Sequence, residues 1–441
     1  MKHIIIYSAA ALTLLLTGCA GRPADSTAPE SGTEAVTAAP GTAVSTAAVT
    51  TAATTASSTS AAVTTTKKID PPDDLKMICP DTVEAGAEIT LDSFITDRNV
   101  ALKDGSALLG TSALGWCEAE IPYLYHGAEF TQTLQYRVID TTAPHIINPG
   151  LNACHKVGTP FDLNDHIGFA DNFDRNPVLT YEGEIDTETV GAYPLSVTVT
   201  DCAGNSVTWD ITVSVAEEVP KSADTNPRVN YGDFISRYDD GNVRFGIDVS
   251  AWQGDIDFQA VRDAGCSFAI IRAGYYYSSV EPDEFFRQNL KNAADAGLDV
   301  GVYFYTTDRS EEDVREHVRW IAEQLDGQKP GLPIAFDWEE FSHFQKYGMS
   351  IRDLNDVYAA FADEVRRQGF QPMLYSSKIF LDTIWSARSK SAAPVWLAHY
   401  VDETTYTGEF AFWQASAYGR IPGIDGDVDM DILYPDRLPE T

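Results

Sequence analysis

Two patterns of hydrophobic and polar residues divide the chain. Between residues 71 and 218, apolar positions alternate with polar ones over short stretches, most regularly at 193–199 and 207–215. A period of two residues is typical of half-buried β-strands. The sequence DCAGN at 201–205, between these two stretches, has the composition of a hairpin turn. The pattern predicts two small all-β modules, at 71–141 and 142–218, of which the first has the less regular interior.

A polar stretch at 219–240 is interpreted as a linker, and the pattern then changes. Eight short apolar segments follow within residues 241–441: RFGIDV, FAIIRAG, DVGVYFYT, PIAFDWEE, PMLYSS, PVWLAHY, FAFWQAS and DVDMDILY. Amphipathic stretches between the early segments predict helices at 258–264, 284–296, 311–325 and 353–368. Strand–helix alternation favours a parallel sheet, and eight strands favour a closed barrel. We therefore predict an irregular, TIM-like β/α barrel with fewer helices than strands, because the last connections are short.

The N-terminal 70 residues are of a different kind. A basic start and an apolar run at 4–16 suit the core of a signal peptide at 1–19 and are too short for a confident transmembrane helix. The run ends in Leu16-Thr17-Gly18-Cys19, which resembles the lipobox of bacterial lipoproteins. An ordinary signal peptide with an incidental cysteine is the alternative. Residues 20–70 are rich in Thr, Ser and Ala, and predict a disordered stalk. We expect an extracytoplasmic protein, lipid-anchored to the membrane at Cys19 and facing the cell wall.

Charge narrows the range of partners. The chain has 65 acidic and 31 basic residues and a formal net charge of −34. Such a surface repels nucleic acid, so no nucleic-acid partner is expected. A monomer is predicted.

The cysteines predict disulfides in an exported chain. Cys79 and Cys117 lie in the first β module, and Cys154 and Cys202 lie in the second. One disulfide per module is the simplest pairing, although the sequence allows others. Cys266, at the entry to an apolar strand, is predicted to be a buried thiol.

Candidate chemistry is concentrated at the ends of the predicted barrel strands, where active sites of such barrels lie. The side chains at these ends are Asp248, Arg272, Tyr305, Asp337, Glu339, Tyr375, His399, Tyr400 and Gln414. Asp429 lies in the last strand, at no assigned end. Asp337 and Glu339 are two residues apart and so point to the same side of a strand. Two close carboxyl groups raise one pKa and create a proton donor. A solvated acidic strand end is the plainer interpretation.

Acids and aromatic residues on one rim suit a carbohydrate, because glycosidic bonds are cleaved by paired carboxylic acids. There is no metal-binding motif, phosphate-binding loop or serine nucleophile elbow in the sequence. Neither a cofactor nor a metal is predicted for this site. A run of aspartates at 425–431 lacks the glycine of a calcium loop.

The segment GIDVSAWQGDIDF at 246–258 resembles the opening of glycoside hydrolase family 25 lysozymes. The segments FAIIRAGYYYS, DVGVYFYT, PIAFDWEE, PVWLAHY and FWQASAYGRIPGIDGDVDMDILY follow in that family's order, so that the resemblance covers residues 245–434. It implies an irregular β/α barrel and a muramidase. One departure is Asp431, where the family usually has asparagine; another is Phe304, where many relatives have histidine.

The resemblance also implies residue roles. Glu339 would protonate the leaving oxygen, and Asp337 would stabilise the transition state or orient the N-acetyl group of the substrate. Asp248 and Asp429 would hold hydrogen bonds and adjust the pKa of Glu339. Alternatively, Asp248 caps a turn. The expected substrate-binding residues are Arg272, Tyr305, Tyr375, Tyr400 and Gln414. Arg272 alternatively anchors the acids.

The second β module contains TTAPHI, DNFDRNP and DCAGNSVT, which resemble bacterial immunoglobulin-like repeats. Domains of this kind act as spacers or binders. Asp171, Asp174 and Asp201 either bind calcium or cap turns.

The sequence therefore predicts a peptidoglycan hydrolase that cleaves the β-1,4 bond between N-acetylmuramic acid and N-acetylglucosamine. Retaining, inverting and substrate-assisted mechanisms all stay open. One alternative is an inactive glycan-binding or adhesion lipoprotein. Another is a surface protein that acts through its β modules.

Overall fold

The structure is a computed structural model, and it describes residues 82–93, 100–105, 107–221 and 225–439. The predicted signal peptide, the lipobox with Cys19, the stalk and Cys79 all lie outside these residues. The described chain contains three β-sheets of four or more strands, arranged one after another along the sequence.

The first module is a four-stranded sheet. Its strands β1 to β4 are Thr82–Glu84, Val100–Leu102, Gly115–Tyr125 and Ala128–Ile139. Their order is β1-β4-β3-β2, in which only the β1–β4 pair is parallel. Alternate residues of the long hairpin β3–β4 face inward, and Ile121, Leu134 and Tyr136 are buried. The expected strand periodicity is therefore present in this module as well.

The second module is built on another long hairpin. Its strands β5 to β10 are His145–Asn148, Cys154–Lys156, Gly168–Ala170, Val178–Glu182, Gly191–Thr200 and Ser206–Ala216. One sheet has the order β6-β10-β9-β8, and β5 pairs with β7. Val197 and Val199 in β9, and Ile211 and Val213 in β10, are buried. The predicted alternating strands and the turn between them are confirmed.

The predicted disulfide between Cys154 and Cys202 is wrong. Cys154 opens β6 and is paired with Ser214, near the end of β10. Cys202 lies in the turn that precedes β10. The strand from Ser206 to Ser214 spans about 26 Å at 3.3 Å per residue. A disulfide needs Cα atoms within about 7 Å. The two cysteines lie at opposite ends of the sheet, and no bond joins them.

The third sheet carries the barrel. Strands β11 to β20 are Val229–Asn230, Arg244–Val249, Phe268–Tyr276, Val280–Pro282, Asp299–Thr306, Ile334–Asp337, Pro372–Ser377, Val395–Ala398, Phe412–Arg420 and Val428–Leu433. The strands β12, β13, β15, β16, β17, β18 and β19 are parallel neighbours in that order. The last strand, β20, pairs antiparallel with both β19 and β12 and so closes a ring of eight. The sequence predicted a parallel sheet. Strand β20 is the exception, because it runs antiparallel to both of its neighbours in the barrel.

In the described chain, eight α-helices accompany these strands. Helices α1 to α8 are Tyr231–Tyr238, Phe258–Asp263, Phe286–Asp295, Glu311–Leu325, Phe344–Tyr347, Ile351–Arg367, Lys378–Thr383 and Ala387–Ala392. The four predicted helices correspond to α2, α3, α4 and α6. Serine hydroxyls cap two of them: Ser310 accepts from the N–H of Asp313, and Ser350 from that of Asp353. In α6 the buried face includes Leu354 and Phe361.

The predicted linker at 219–240 is shorter than expected. Its second half contains β11 and α1, and β11 pairs with β19. Tyr231 and Phe234 of α1 are buried in the hydrophobic core of the barrel. Burial of two aromatic rings explains why this polar-looking segment folds onto the barrel. Cys266, in the same core, is the buried thiol that was predicted.

The second module contacts the barrel beside β16. The backbone N–H of Ile351 donates to the carbonyl of Asp171 (2.8 Å), and Gln345 Nε2 donates to the carbonyl of Ile167 (3.0 Å). Arg175 forms a bidentate ion pair with Asp353. In the part of the chain described here, no helix is both long and apolar enough to cross a membrane.

Candidate active site

Three of the predicted acids meet at one rim of the barrel. Asp248 lies near the end of β12, and Asp337 ends β16. Asp429 lies near the start of β20, directly opposite Asp248. Because β20 runs antiparallel, its beginning reaches the rim where the parallel strands end. The strand direction thus explains the position of Asp429, which the sequence left unassigned.

Asp337 and Glu339 are side by side, and Trp338 between them faces away. The Trp338 ring is fully buried, and its Nε1 donates to the carbonyl of Asp308 (3.1 Å). Trp338 also packs edge-on against Phe341. This anchoring fixes the backbone that carries both acids. Asp337 is buried, whereas Glu339 keeps partial exposure.

Burial dominates the electrostatics of this pair. It raises the pKa of Asp337 well above its usual value, and the neighbouring Glu339 carboxyl raises it further. Burial also raises the pKa of Glu339 to about 7, although a hydrogen bond with Asp337 opposes the shift. Two carboxyl groups that interact so closely lose their protons in two shared steps. The pair therefore retains a proton near neutral pH.

Gln414 connects Asp248 to two tyrosines. Its Nε2 donates to Asp248 Oδ2 (2.7 Å). Its Oε1 accepts from the hydroxyls of Tyr400 (2.7 Å) and Tyr375 (3.0 Å). All four residues were predicted at the site, and the structure brings them together. Their mutual bonds show that the tyrosine hydroxyls orient Gln414, which in turn orients Asp248.

Asp431 adds a carboxyl group beneath this network. Its side chain is fully buried, and Trp396 Nε1 donates to its Oδ1 (2.8 Å). Burial raises the pKa of Asp431 to about 8. The pKa of Asp248 is also raised, chiefly by burial and then by the neighbouring charge of Asp431.

Arg272 is held by an acid that the sequence reasoning missed. Arg272 Nε and Nη2 lie 2.9 and 2.8 Å from Asp283 Oδ2. The Asp283 side chain is fully buried and also accepts from the N–H groups of Ala251 and Phe285. Asp283 lies in the loop after β14, so an inspection of strand ends does not find it. Arg272 thus forms an ion pair with Asp283, and its two predicted roles, anchoring the acid cluster and contacting substrate, stay predictions.

Glu340 is the second residue that was missed. Its Oε1 accepts from the Tyr305 hydroxyl (2.9 Å), and its Oε2 is bonded by His343 Nδ1. Burial raises the pKa of Glu340, but these hydrogen bonds outweigh it, and the net pKa is lowered. Glu340 therefore ionises at a lower pH than Glu339. Its place as the third acid of the DWEE motif was a signal available in the sequence.

Three aromatic residues at the rim also escaped notice. Tyr303 shares the inner face of β15 with Tyr305 and interacts electrostatically with Arg272, Asp248 and Asp337. Trp252 and Tyr277, which follow β12 and β13, are exposed. Exposed rings beside buried acids provide stacking surfaces at the mouth of a site. The period of two in β15 was the signal for Tyr303.

The comparisons with known proteins agree with this geometry. The family model for glycosyl hydrolases family 25 matches residues 247–424. The chain is 31% identical over 196 residues to the uncharacterized protein YegX of Escherichia coli O6:H1, across 43% of this chain and 68% of YegX. The chain belongs to glycosyl hydrolases family 25. Asp248, Asp337 and Glu339 lie within the segment that the family 25 model matches, and Asp429 lies just beyond it.

Two named lysozymes are also similar. Lysozyme M1 of Streptomyces globisporus is 32% identical over 200 residues, across 42% of this chain. The chain spans 65% of that relative, which is less than two thirds of its length. The crystal structure of the Streptomyces coelicolor lysozyme is 27% identical and has a TM-score of 0.38, covering 45% of this chain and 96% of that one.

Proposed function

We propose that the protein is a peptidoglycan hydrolase, a muramidase that cleaves the β-1,4 bond between N-acetylmuramic acid and N-acetylglucosamine. The buried, hydrogen-bonded pair Asp337 and Glu339 carries the proposal. A pair that retains a proton near neutral pH supplies the acid that glycosidic cleavage needs. Membership of family 25 and similarity to lysozyme M1 support the choice of substrate.

In this proposal Glu339 donates the proton to the leaving oxygen. It is the more exposed member of the pair and can reach a substrate that fills the rim. Once that proton has been transferred, the negative charge left on the pair lies opposite the developing oxocarbenium ion, with Arg272 as the cation that lowers the pKa of Asp337. Asp248 and Asp429 raise the proton affinity of the cluster by like-charge repulsion. Tyr305, Tyr375, Tyr400 and Gln414 shape the wall along which the glycan lies.

We also propose the setting in which the barrel works. The two β modules, as immunoglobulin-like domains, would space the barrel from a membrane to which lipidated Cys19 anchors the chain. Hydrogen bonds between the second module and α6 support a fixed position of the barrel relative to that module. The enzyme would then be extracytoplasmic and face the cell wall.

The proposal is tested by digestion of purified peptidoglycan. We expect the protein to release reducing ends, with N-acetylmuramic acid at the new ends by mass spectrometry. Glu339→Gln should abolish release. Glu323→Gln, the same change on an exposed position of α4, should not alter it. Absence of release by well-folded protein from walls of several types would contradict the proposal and favour a glycan-binding module.

A further inference from the structure

We propose that Asp140, Asp171 and Asp201 bind a calcium ion at the junction of the two β modules. The three come from separate elements: Asp140 follows β4, Asp171 follows β7, and Asp201 follows β9. One oxygen from each lies within 4.8 Å of the others. Oxygens on one Ca²⁺, at about 2.4 Å from the ion, are at most about 4.8 Å apart. The separation is therefore one that a single calcium ion allows.

Burial distinguishes this group from an ordinary acidic surface. Asp140, Asp171 and Asp201 are 8%, 0% and 6% exposed. Charged carboxylates are almost never buried so completely without a counter-charge. Among the residues that the structure describes, no lysine or arginine forms an ion pair with any of the three. A bound cation would supply that counter-charge.

The hydrogen bonds leave oxygens available for that cation. Asp140 Oδ1 accepts from the N–H of Thr142, and Asp171 Oδ1 accepts from the N–H groups of Phe173 and Asp174. Within the described residues, the second oxygens, Asp140 Oδ2 and Asp171 Oδ2, are buried and have no hydrogen-bond partner. In Asp140 and Asp171 the backbone thus fixes the carboxyl group by one oxygen and leaves the other for a ligand. Asp201 differs, because its Oδ1 accepts from the N–H groups of Ala203 and Asn205 and its Oδ2 accepts from Asn205 Nδ2 (2.9 Å).

Asn172 provides a fourth candidate ligand. Its Nδ2 donates to the carbonyl of Ala85 (3.1 Å) and to Asp140 Oδ1 (3.4 Å), and its Oδ1 is buried without a partner in the described chain. Three carboxylates and an amide oxygen are hard ligands of the kind that Ca²⁺ takes. Burial raises the pKa of Asp171 to about 6, and the charges of Asp140 and Asp201 add to the shift.

The sequence pointed to only part of this site. Asp171 and Asp201 were considered for calcium together with Asp174. The structure replaces Asp174 by Asp140, because Asp140 is the residue with an oxygen within 4.8 Å of Asp171 and Asp201. The expectation that the chain needs no metal ion concerned the catalytic rim, which is a different region.

An ion here would join three parts of the molecule. Asp140 belongs to the first module, and Asp171 to the second. The carbonyl of Asp171 accepts from the N–H of Ile351 at the start of α6 in the barrel. Asn205, beside Asp201, donates from Nδ2 to the carbonyl of Asp140 (3.1 Å). Calcium would therefore fix the angle between the modules and the barrel.

Calorimetric titration of the chelator-treated protein with CaCl₂ tests the site. We expect one Ca²⁺ per chain for the wild type and for Asp186→Asn, an exposed aspartate of the same module. Asp171→Asn should weaken binding at least tenfold. At a Ca²⁺ concentration about 100 times Kd, Tm of the wild type should rise by roughly 5 °C or more.

In the calcium-free protein we expect the opposite order of Tm values. Without calcium, Asp171→Asn removes a buried repulsive charge and keeps the acceptor oxygen, so its Tm should equal or exceed that of the wild type. Calcium should reverse this order. If Asp171→Asn does not fold, Asp140→Asn replaces it. Absence of Ca²⁺ binding by the wild type, or unchanged binding by a folded variant, would overturn the proposal.

Discussion

The buried carboxyl group of Asp431 accepts a hydrogen bond from Trp396 Nε1 (2.8 Å). Burial raises the pKa of Asp431 to about 8, which favours its neutral, protonated form at neutral pH. Its environment contains Trp396 on β18, Gln414 on β19 and Asp429 on its own strand. An asparagine at this position would occupy similar space and carry no charge at any pH.

Asp431→Asn should change how stability depends on pH. The folded-state pKa of Asp431 is raised to about 8 from a usual value near 3.8. The contribution of Asp431 to the free energy of unfolding is therefore fully present below about pH 4 and is lost as the pH rises through about 8. Between pH 5 and 8, ionisation of Asp431 in the unfolded chain lowers the free energy of unfolding by up to about 1.4 kcal/mol per pH unit. Urea unfolding at pH 6, 7 and 8 should show a flatter decline for Asp431→Asn than for the wild type.

The control for this comparison is Asp425→Asn, the same change at an exposed position. It should leave the wild-type slope unaltered. Equal slopes for Asp431→Asn and the wild type would show that Asp431 is ionised throughout this range.

Arg272→Met should destabilise the fold because it leaves Asp283 buried without its partner. The two side chains are 12% and 0% exposed. Breaking a buried pair from one side typically costs about 3–5 kcal/mol. Adding Asp283→Asn to Arg272→Met should recover part of the loss. A double-mutant cycle by urea unfolding measures the coupling; a change below about 1 kcal/mol for Arg272→Met would contradict a structural ion pair.

Gln414→Leu should lower both stability and activity. It leaves one oxygen of Asp248 and two tyrosine hydroxyls without their partner. An unsatisfied buried polar group costs about 1–3 kcal/mol. Gln259→Leu, on the exposed face of α2, is the control and should change the free energy of unfolding by less than about 0.5 kcal/mol. Equal effects of the two variants would refute the role of Gln414 as the connecting residue.

The contact between the second module and the barrel should affect catalysis. A Cβ at Gly168 would lie 3.0 Å from Ser342 Cα, in the segment just after Glu339 and Glu340. Gly168→Ala should therefore displace that segment and reduce kcat/KM by several fold. Gly331→Ala, which meets nothing within 4 Å, is the matched control. Full activity of Gly168→Ala would indicate that the module does not brace the site.

Local pattern was sufficient for much of this fold. The alternation in β9 and β10 and the amphipathic stretches of α4 and α6 each predicted the observed element, because each buries one face. The acids at the ends of β12 and β16 were found for the same reason: strand ends in a barrel converge.

Other features depend on tertiary relations that local pattern does not contain. A period of two does not give strand direction, so the antiparallel β20 was not foreseen. The spacing of Cys154 and Cys202 does not show at which end of the sheet each lies. Asp283 is held in a loop by contacts with Arg272 and Ala251, and no motif marks it.

The most direct test of the account compares two adjacent glutamates. Glu339 belongs to a pair that retains a proton near neutral pH, whereas hydrogen bonds with Tyr305 and His343 lower the pKa of Glu340. Of the two glutamates, Glu339 is therefore the one that we expect to act as the general acid. We expect kcat/KM on peptidoglycan to fall by about 10²–10⁴ for Glu339→Gln and by less than about tenfold for Glu340→Gln. The reverse order, with Glu340→Gln inactive and Glu339→Gln active, would contradict the account.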